Sequence, residues 1–299
     1  MTSASDVNSK PARHRRRLIR ILTFVIIGVV LLAAYALSVR AYSASIRESF
    51  TAPPTTPNGV AVVMVPMDVD AIGQTISTQM LIFPGRNLVT PEGRLLRDIS
   101  LDTYATESGT ITFDAGTVPA PIRASIPALG VVQKYPFDNY EYELQIRSVV
   151  EPKVGQTINP EPIPMSLSVQ FSVPGWSYTP KEMPEGFSTQ TVTSRGVVSR
   201  AGGTITIAMI FILLIVMFGV LSVLIVFAGW RGRPPLTVST AGWLTSSVFA
   251  LIALRNALPG HPPLGSWMDV LAYFWVIAVI MLMIGVTVVT IVTAKPGQT

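Results

Sequence analysis

The sequence predicts a membrane protein of the α+β class, in which an all-β sandwich outside the membrane is preceded by one transmembrane helix and followed by three. The prediction comes from four apolar runs and from the polar, strand-patterned stretch between the first two. Each run reaches or passes the roughly 20 residues that a helix with a rise of about 1.5 Å per residue needs to cross a hydrocarbon core. The runs are residues 18–39, 204–229, 236–258 and 270–293.

Composition is typical of such a protein and excludes other classes. Apolar residues make up 49% of the 299 residues and charged residues 13%, too few charges to cover a soluble globule of this size. The chain has no cysteine, which excludes thiolate metal and redox sites. The excess of positive over negative charge is concentrated beside the first apolar run, where it indicates topology, so we expect no nucleic-acid partner. This cluster is Arg13, Arg15, Arg16, Arg17 and Arg20.

The arginine cluster should stay in the cytoplasm, because positive residues that flank a membrane helix are retained there. Three later crossings then return the chain, with Arg231, Arg233 and Lys295 inside, so we expect a plasma (inner) membrane protein with both termini cytoplasmic. A cleaved signal peptide ending near Ser43 is the alternative, but the first run exceeds the roughly 7–15 residues of a signal peptide's apolar core. The predicted segments are a basic tail (1–17), a transmembrane anchor (18–39), a linker (40–59), an extracytoplasmic β-sandwich (60–200), a three-helix transmembrane region (204–293) and a cytoplasmic tail (294–299).

Alternating residues predict the strands of the sandwich. Tyr140, Tyr142, Leu144 and Ile146 alternate with polar residues, the period of a strand with one buried and one wet face, and residues 166–173 repeat the pattern. Several short strands separated by Gly/Pro turns indicate a β-sandwich. The other candidate strands are 60–66, 74–82, 98–104, 109–114, 119–126 and 189–198.

The sequence offers little catalytic chemistry. His261, Ser266 and Asp269 are the only available triad, and the surrounding residues do not form a nucleophile elbow. Asp68 and Asp70 are interpreted as solvated turn residues rather than cation ligands, because calcium needs about six or more oxygens. Phosphate-loop and paired-histidine motifs are absent from the sequence. We therefore expect a non-enzymatic protein without cofactor or metal.

One turn is the most specific local feature. Tyr135-Pro136-Phe137-Asp138 is a Pro-led turn that displays an aromatic ring and a carboxylate immediately before a well-patterned strand. The turn resembles the Phe-Pro-Phe-Asp tip of the loop that points from the β-sandwich onto the membrane helices in pentameric ligand-gated ion channels. An arginine just before the first closing helix, and a loop from Asn256 through Pro259 to Asp269, also resemble that family.

The resemblance implies that the turn couples the β-domain to the membrane helices. It places Asp138 close to Arg200 and Phe137 near Pro259 or Leu264. This sequence departs from the channels in its shorter upstream domain, in the lack of an aromatic ligand box, and in having its remaining helix before the domain rather than after it. The implied coupling residues are Tyr135, Pro136, Phe137, Asp138, Arg200, Pro259, Leu264 and Asp269.

The run 236–258 is the least apolar, which indicates that other helices or subunits cover it. Two registers for a pore-lining face remain open. Counting back from Pro259 selects Val238, Gly242, Thr245, Phe249 and Ile252, whereas polarity selects Thr240, Leu244, Ser247 and Leu251. The candidates for helix packing or a pore are Ser239, Thr240, Gly242, Leu244, Thr245, Ser247, Leu251 and Arg255, with small residues allowing close packing.

As a whole, the chain is similar to an actinobacterial family of uncharacterised membrane proteins, described as a domain of unknown function, with the same anchor, β-domain and three closing helices. We expect a cell-envelope protein whose β-domain binds a ligand or partner and couples to the helices. Two alternatives are a channel-like pentamer, with Arg233 and Arg255 favouring anions, and an accessory subunit of an envelope complex. The expected partners are the lipid bilayer and either a second copy of the chain or another envelope protein.

Overall fold

A computed structural model describes residues 53–103, 109–150, 160–231 and 235–293, together with ten residues between Val25 and Arg40. The chain divides into two compact units, residues 1–44 and 45–299. In the first unit, the described residues are helical and exposed, and all but Arg40 lie within the predicted anchor. The predicted tails, 1–17 and 294–299, lie outside the described residues.

The second unit begins with ten strands, which form a mixed sheet that we call the β-domain. Alternating apolar residues explain most strands, because every second side chain enters the core. The strands are β1 (Val60–Asp70), β2 (Thr75–Pro84), β3 (Ile99–Thr103), β4 (Thr110–Phe113), β5 (Ile122–Gly130), β6 (Asn139–Val150), β7 (Glu161–Pro162), β8 (Met165–Val169), β9 (Trp176–Glu182) and β10 (Val192–Arg200).

Strand β5 connects the two halves of this sheet. The strand order is β4-β3-β6-β5-β2-β1-β8, with β10 and β7 beside β6 and β9 beside β10. Residues 122–127 of β5 pair with β2, whereas residues 128–130 pair with β6. Side chains from both halves share one hydrophobic core, including Met64, Ile126 and Leu144. The sheet is therefore sandwich-like, and it is mixed because β1 and β8 run parallel.

Two strands were not predicted from the sequence. The two-residue β7 is too short for a periodic signal. Strand β9 pairs only with β10, and most of its residues are exposed. Its Pro180 lacks a backbone N–H, which an edge strand tolerates. The predicted strand at 166–173 ends earlier, at Val169.

Three apolar helices follow the β-domain: α1 (Gly202–Trp230), α2 (Val238–Asn256) and α3 (Phe274–Thr293). A π-helical turn, Asp269–Tyr273, precedes α3. By length and composition, all three are long and apolar enough to cross a membrane, the third counted from Asp269. Tyr135 of the β-domain joins the buried apolar cluster of these helices, so the two parts of the second unit share packing.

Candidate functional site

A single residue connects the last strand of the β-domain to the first of the three helices. Strand β10 ends at Arg200, and α1 begins at Gly202 after the single residue Ala201. The carbonyl of Gly175, in the turn before β9, accepts hydrogen bonds from the Ala201 N–H at 2.9 Å and from the Thr204 hydroxyl at 3.0 Å. This turn is thereby fixed to the first turn of α1.

A buried ion pair lies at the same point. Strands β6 and β10 are antiparallel, and the pairing of Ser199 with Asn139 brings Asp138 and Arg200 to the same end of the ladder. The Arg200 Nε lies 3.1 Å from both carboxylate oxygens of Asp138, and Nη2 lies 3.0 Å from Oδ2. The Tyr140 hydroxyl donates to Oδ2 at 3.0 Å. Asp138 is 1% exposed and Arg200 5%, so the charges are satisfied by each other and by this hydroxyl.

Aromatic rings and a glycine enclose the guanidinium of Arg200. Its carbon lies 4.0 Å from the ring centre of Trp176 and 5.4 Å from that of Tyr135, within the range of cation–π attraction. Gly260 approaches so closely that a Cβ there would collide with Nη1 of Arg200. Gly260 also has a φ of 77°, which favours glycine. The arginine therefore contacts the loop between α2 and α3.

We call residues 257–268 the α2–α3 loop. Tyr135 is fully buried, and its hydroxyl donates to the Pro259 carbonyl in this loop at 2.9 Å. Burial, opposed in part by the nearby Arg200 charge, raises the pKa of Tyr135 to about 12. Burial and then the negative charge of Asp138 raise the pKa of Tyr140 as well. Both phenols therefore remain protonated donors at neutral pH.

A second ion pair closes the α2–α3 loop on itself. Arg255, at the end of α2, donates to both oxygens of Asp269 at 3.2 and 3.1 Å and to the Pro262 carbonyl at 2.9 Å. Asp269 also accepts from the Gly265 N–H at 3.0 Å and from the Ser266 hydroxyl at 3.2 Å. The loop is therefore held from within as well as by the β-domain.

The structure brings together only part of the turn that was predicted to couple. Asp138 and Arg200 are paired, and the Tyr135 hydroxyl donates to the Pro259 carbonyl. Phe137 is 57% exposed and Leu264 is 75% exposed. Pro136 follows a cis peptide bond. Asp269 belongs to the loop's own ion pair.

The candidates on α2 divide between two faces. Leu244, Ser247 and Leu251, chosen by polarity, are buried within the chain. Ser239, Gly242 and Thr245 are exposed, and Thr240 is half-buried. The residues selected by polarity thus mostly pack inside the chain. The residues counted back from Pro259 are exposed instead, with Phe249 at 69% exposure.

Three hydroxyl groups in the middle of α2 have partners in their own helix. Thr245, Ser246 and Ser247 each donate to the carbonyl four residues earlier, at 2.9–3.0 Å. Their polarity therefore does not by itself require water or another subunit. Arg255 does not present a free charge to a pore entrance, because Asp269 neutralises it. Arg233 lies outside the described residues.

The other chemical candidates are not assembled into reactive sites. The Ser266 hydroxyl donates to Asp269, while His261 is exposed with a φ of 41°. Asp70 caps its own turn by accepting from the N–H groups of Ile72 and Gly73. Among the described residues, no group of three or more His, Cys, Asp and Glu side chains is placed to hold a metal.

We call the Asp138–Arg200 pair and the residues that contact it the joint. Three residues of the joint were not identified from the sequence: Trp176, Tyr140 as a hydrogen-bond donor, and Gly260. Tyr140 was assigned only to the buried face of a strand, and Trp176 begins the strand that was missed. The Pro259-Gly260 pair offered a signal for a turn, but its contact with Arg200 depends on elements far apart in the chain.

Comparison with known families gives two consecutive matches. Residues 50–195 match the model of a domain of unknown function, DUF4436, and residues 200–294 match that of another, DUF8686. No curated protein matches the chain. Asp138 and Trp176 fall in the first segment, Arg200 and Gly260 in the second, so the joint connects the two. The chain is thus similar to two families of unknown function, one along its β-domain and one along its closing helices.

Proposed function

We propose that this chain is a non-enzymatic integral membrane protein whose β-domain lies outside the cytoplasm and is mechanically coupled to the membrane helices. The three helices span about 43, 28 and 37 Å at 1.5 Å per residue, against a core of about 30 Å. Large apolar side chains such as Leu213, Leu224 and Leu282 are 56–62% exposed on them. Lipid is the environment that suits such surfaces.

Cysteine labelling tests the topology, because the chain has no cysteine of its own. A cysteine at Asn58 or Ser108 is expected to react with an impermeant reagent from outside the cell, whereas one at Gly232 is not. This follows from the arginines near both the N-terminus and Gly232 staying inside. Labelling at Gly232 with protection at Asn58 would overturn the proposed sidedness.

The buried Asp138–Arg200 pair is the observation that supports coupling. The pair lies within the β-domain and holds the Arg200 guanidinium against Gly260 of the α2–α3 loop. Removing one partner of a buried pair costs roughly 3–5 kcal/mol. Tyr135 and Gly260 add direct contacts to the α2–α3 loop. A ligand or partner that shifts β6 or β10 would therefore act on that loop and on the start of α1.

Hydrogen exchange of the detergent-solubilised chain tests this coupling. Asp138→Asn is expected to speed exchange of the α2–α3 loop amides by about tenfold, because the loop loses roughly 1.4 kcal/mol of support. Asp102→Asn is the matched control, since Asp102 pairs with Arg147 at 2.9 Å within the β-domain. Faster exchange near residue 138 with an unchanged loop would contradict the proposal.

A channel-like pentamer is the second candidate function. It is supported by the exposed face of α2, which carries Val238, Thr245 and Phe249 in the register counted from Pro259. Native mass measurement and negative-stain imaging of the solubilised protein distinguish the candidates. A five-fold ring would favour the channel, and a monomer would remove it.

A further inference from the structure

An open groove of about 510 Å³ lies on the outer face of the β-domain. Strands β2 and β5 form its floor, with Ser77 opposite Ser125 and Gln79 opposite Arg123. Paired residues lie on the same face of a sheet, so two hydroxyls, an amide and a guanidinium are presented together. The volume falls within the range of roughly 300–1,000 Å³ that is usual for small-molecule sites.

The polar groups of this groove differ from those elsewhere on the β-domain. On the outer faces of β6, β9 and β10, Lys181 pairs with Glu141, and Arg195 pairs with both Glu143 and Glu182.

In the part of the chain that the structure describes, the side chains of Ser77, Gln79, Arg123 and Ser125 make no hydrogen bond or ion pair. Arg123 thus differs from Arg147, Arg195 and Arg200, the other arginines on described strands, which all pair with carboxylates. Its guanidinium fork is free to receive an external acceptor.

A bulge in β1 shapes one wall of the groove. The register with β2 shifts between Pro66 and Asp68, which leaves Met67 as an additional residue, 54% exposed, against the groove. Bulges redirect side chains and are frequent beside binding sites. The thioether provides an adaptable apolar wall. Asp68 lies opposite Ser77, whereas Arg123 lies opposite Gln79, two residues further along β2.

We propose that this groove binds a small organic carboxylate, with the carboxylate on Arg123, the hydrogen-bonding groups on Ser77, Gln79 and Ser125, and an apolar part on Met67. A guanidinium recognises a carboxylate through two parallel N–H bonds. The inference rests on the proposed function, since it names the ligand class that the β-domain receives.

Calorimetric titration of the full solubilised chain tests the groove. The probes are N-acetyl-alanyl-alanine and its C-terminal amide, which differ in the carboxylate, together with inorganic phosphate. The acid is expected to bind at least about tenfold more tightly than the amide, because only the acid can form a bidentate charged pair with the guanidinium. Arg123→Gln should remove this preference. Arg86→Gln, at an exposed arginine on the turn after β2, should change the affinity less than about twofold.

Equal affinity for acid and amide, an unchanged preference in Arg123→Gln, tighter binding of phosphate than of the acid, or no binding of any probe would each overturn the proposal. Calorimetry measures binding without reference to the helices. The acid could therefore bind in the groove even if Asp138→Asn left hydrogen exchange of the α2–α3 loop unchanged. That combination would contradict the proposed coupling but not the proposed ligand site.

Discussion

The two buried arginine–aspartate pairs of this molecule have similar geometry but different positions in the chain. Arg255 and Asp269 are 14 residues apart and close the loop between two neighbouring helices. Arg200 and Asp138 are 62 residues apart and join two strand ends at the start of α1. The first pair shapes one loop, whereas the second connects regions that match different families.

Their surroundings differ in the same way. Asp269 receives a backbone N–H and a hydroxyl from its own loop, so its partners are local. Arg200 lies between Trp176, Tyr135 and Gly260, which come from three separate parts of the chain. The two pairs therefore differ in sequence separation rather than in hydrogen-bond geometry. The short-range pair organises one loop, and the long-range pair joins two strand ends next to the helices.

The largest expected effect comes from breaking the long-range pair. Asp138→Ala should lower the free energy of unfolding by about 3–5 kcal/mol, because it leaves the Arg200 charge buried and unpaired. Urea titration followed by tryptophan fluorescence measures this, with Trp176 beside the arginine as a reporter. The double variant Asp138→Leu/Arg200→Met should recover most of the loss, since no buried charge remains. A loss below about 1 kcal/mol in Asp138→Ala would show that the pair is not buried in solution.

The glycine contact separates backbone strain from contact with Arg200. Gly260→Ala should lower the free energy of unfolding by about 3 kcal/mol. Alanine is strained at a positive φ, and its Cβ would also collide with the guanidinium of Arg200. Gly265→Ala is the matched control in the same loop, with a φ of 90° and nothing within 4 Å of the added Cβ. Its cost should be about 1 kcal/mol, from strain alone. Equal losses in the two variants, measured by the same urea titration, would mean that the Arg200 contact contributes nothing.

The hydroxyl of Tyr135 provides a smaller test of the connection to the loop. Tyr135→Phe should cost about 1 kcal/mol and speed exchange of the amides near Pro259, because one hydrogen bond is lost. Tyr178→Phe is the control, since the Tyr178 hydroxyl bonds to that of Tyr142 at 3.0 Å within the β-domain. It should leave the exchange of the loop unchanged. If both variants accelerate the loop equally, the effect is general destabilisation.

A pH dependence is also expected at the alkaline end. The pKa of Tyr135 rises on folding from 10.0 to about 12, so the folded state favours the protonated phenol. Its contribution to stability is complete below pH 10 and is lost as pH rises towards about 12. Ultraviolet titration of phenolate formation should show one phenol near pH 12 in the native chain that is missing in Tyr135→Phe. Titration of that phenol near pH 10 would contradict the burial of Tyr135.

Particular residues show how much of the site could be predicted from the sequence. The proximity of Asp138 and Arg200 was expected from the resemblance of the turn to a channel loop. The same resemblance placed Phe137 near Pro259 or Leu264. The structure shows Phe137 57% exposed and a hydrogen bond from the Tyr135 hydroxyl to the Pro259 carbonyl. On α2, polarity favoured Leu244 and Ser247 for a pore face, yet these residues pack inside their own chain. In both cases the residue type was informative, but the direction of the side chain depends on neighbours that are distant in sequence.

Apolar length and strand alternation were sufficient to determine the sheet-forming region and the three long closing helices, because these are local properties. The absence of cysteine from the composition was sufficient to exclude thiol chemistry. Only the tertiary structure decided that β5 joins both halves of the sheet and that Trp176 and Gly260 enclose Arg200. It also decided that the donors around Arg123 lack partners within the described part of the chain. Such relations depend on strand register and on chain segments brought together from tens of residues apart. The sequence pattern records which face of a strand is apolar, but not which side chain lies opposite it.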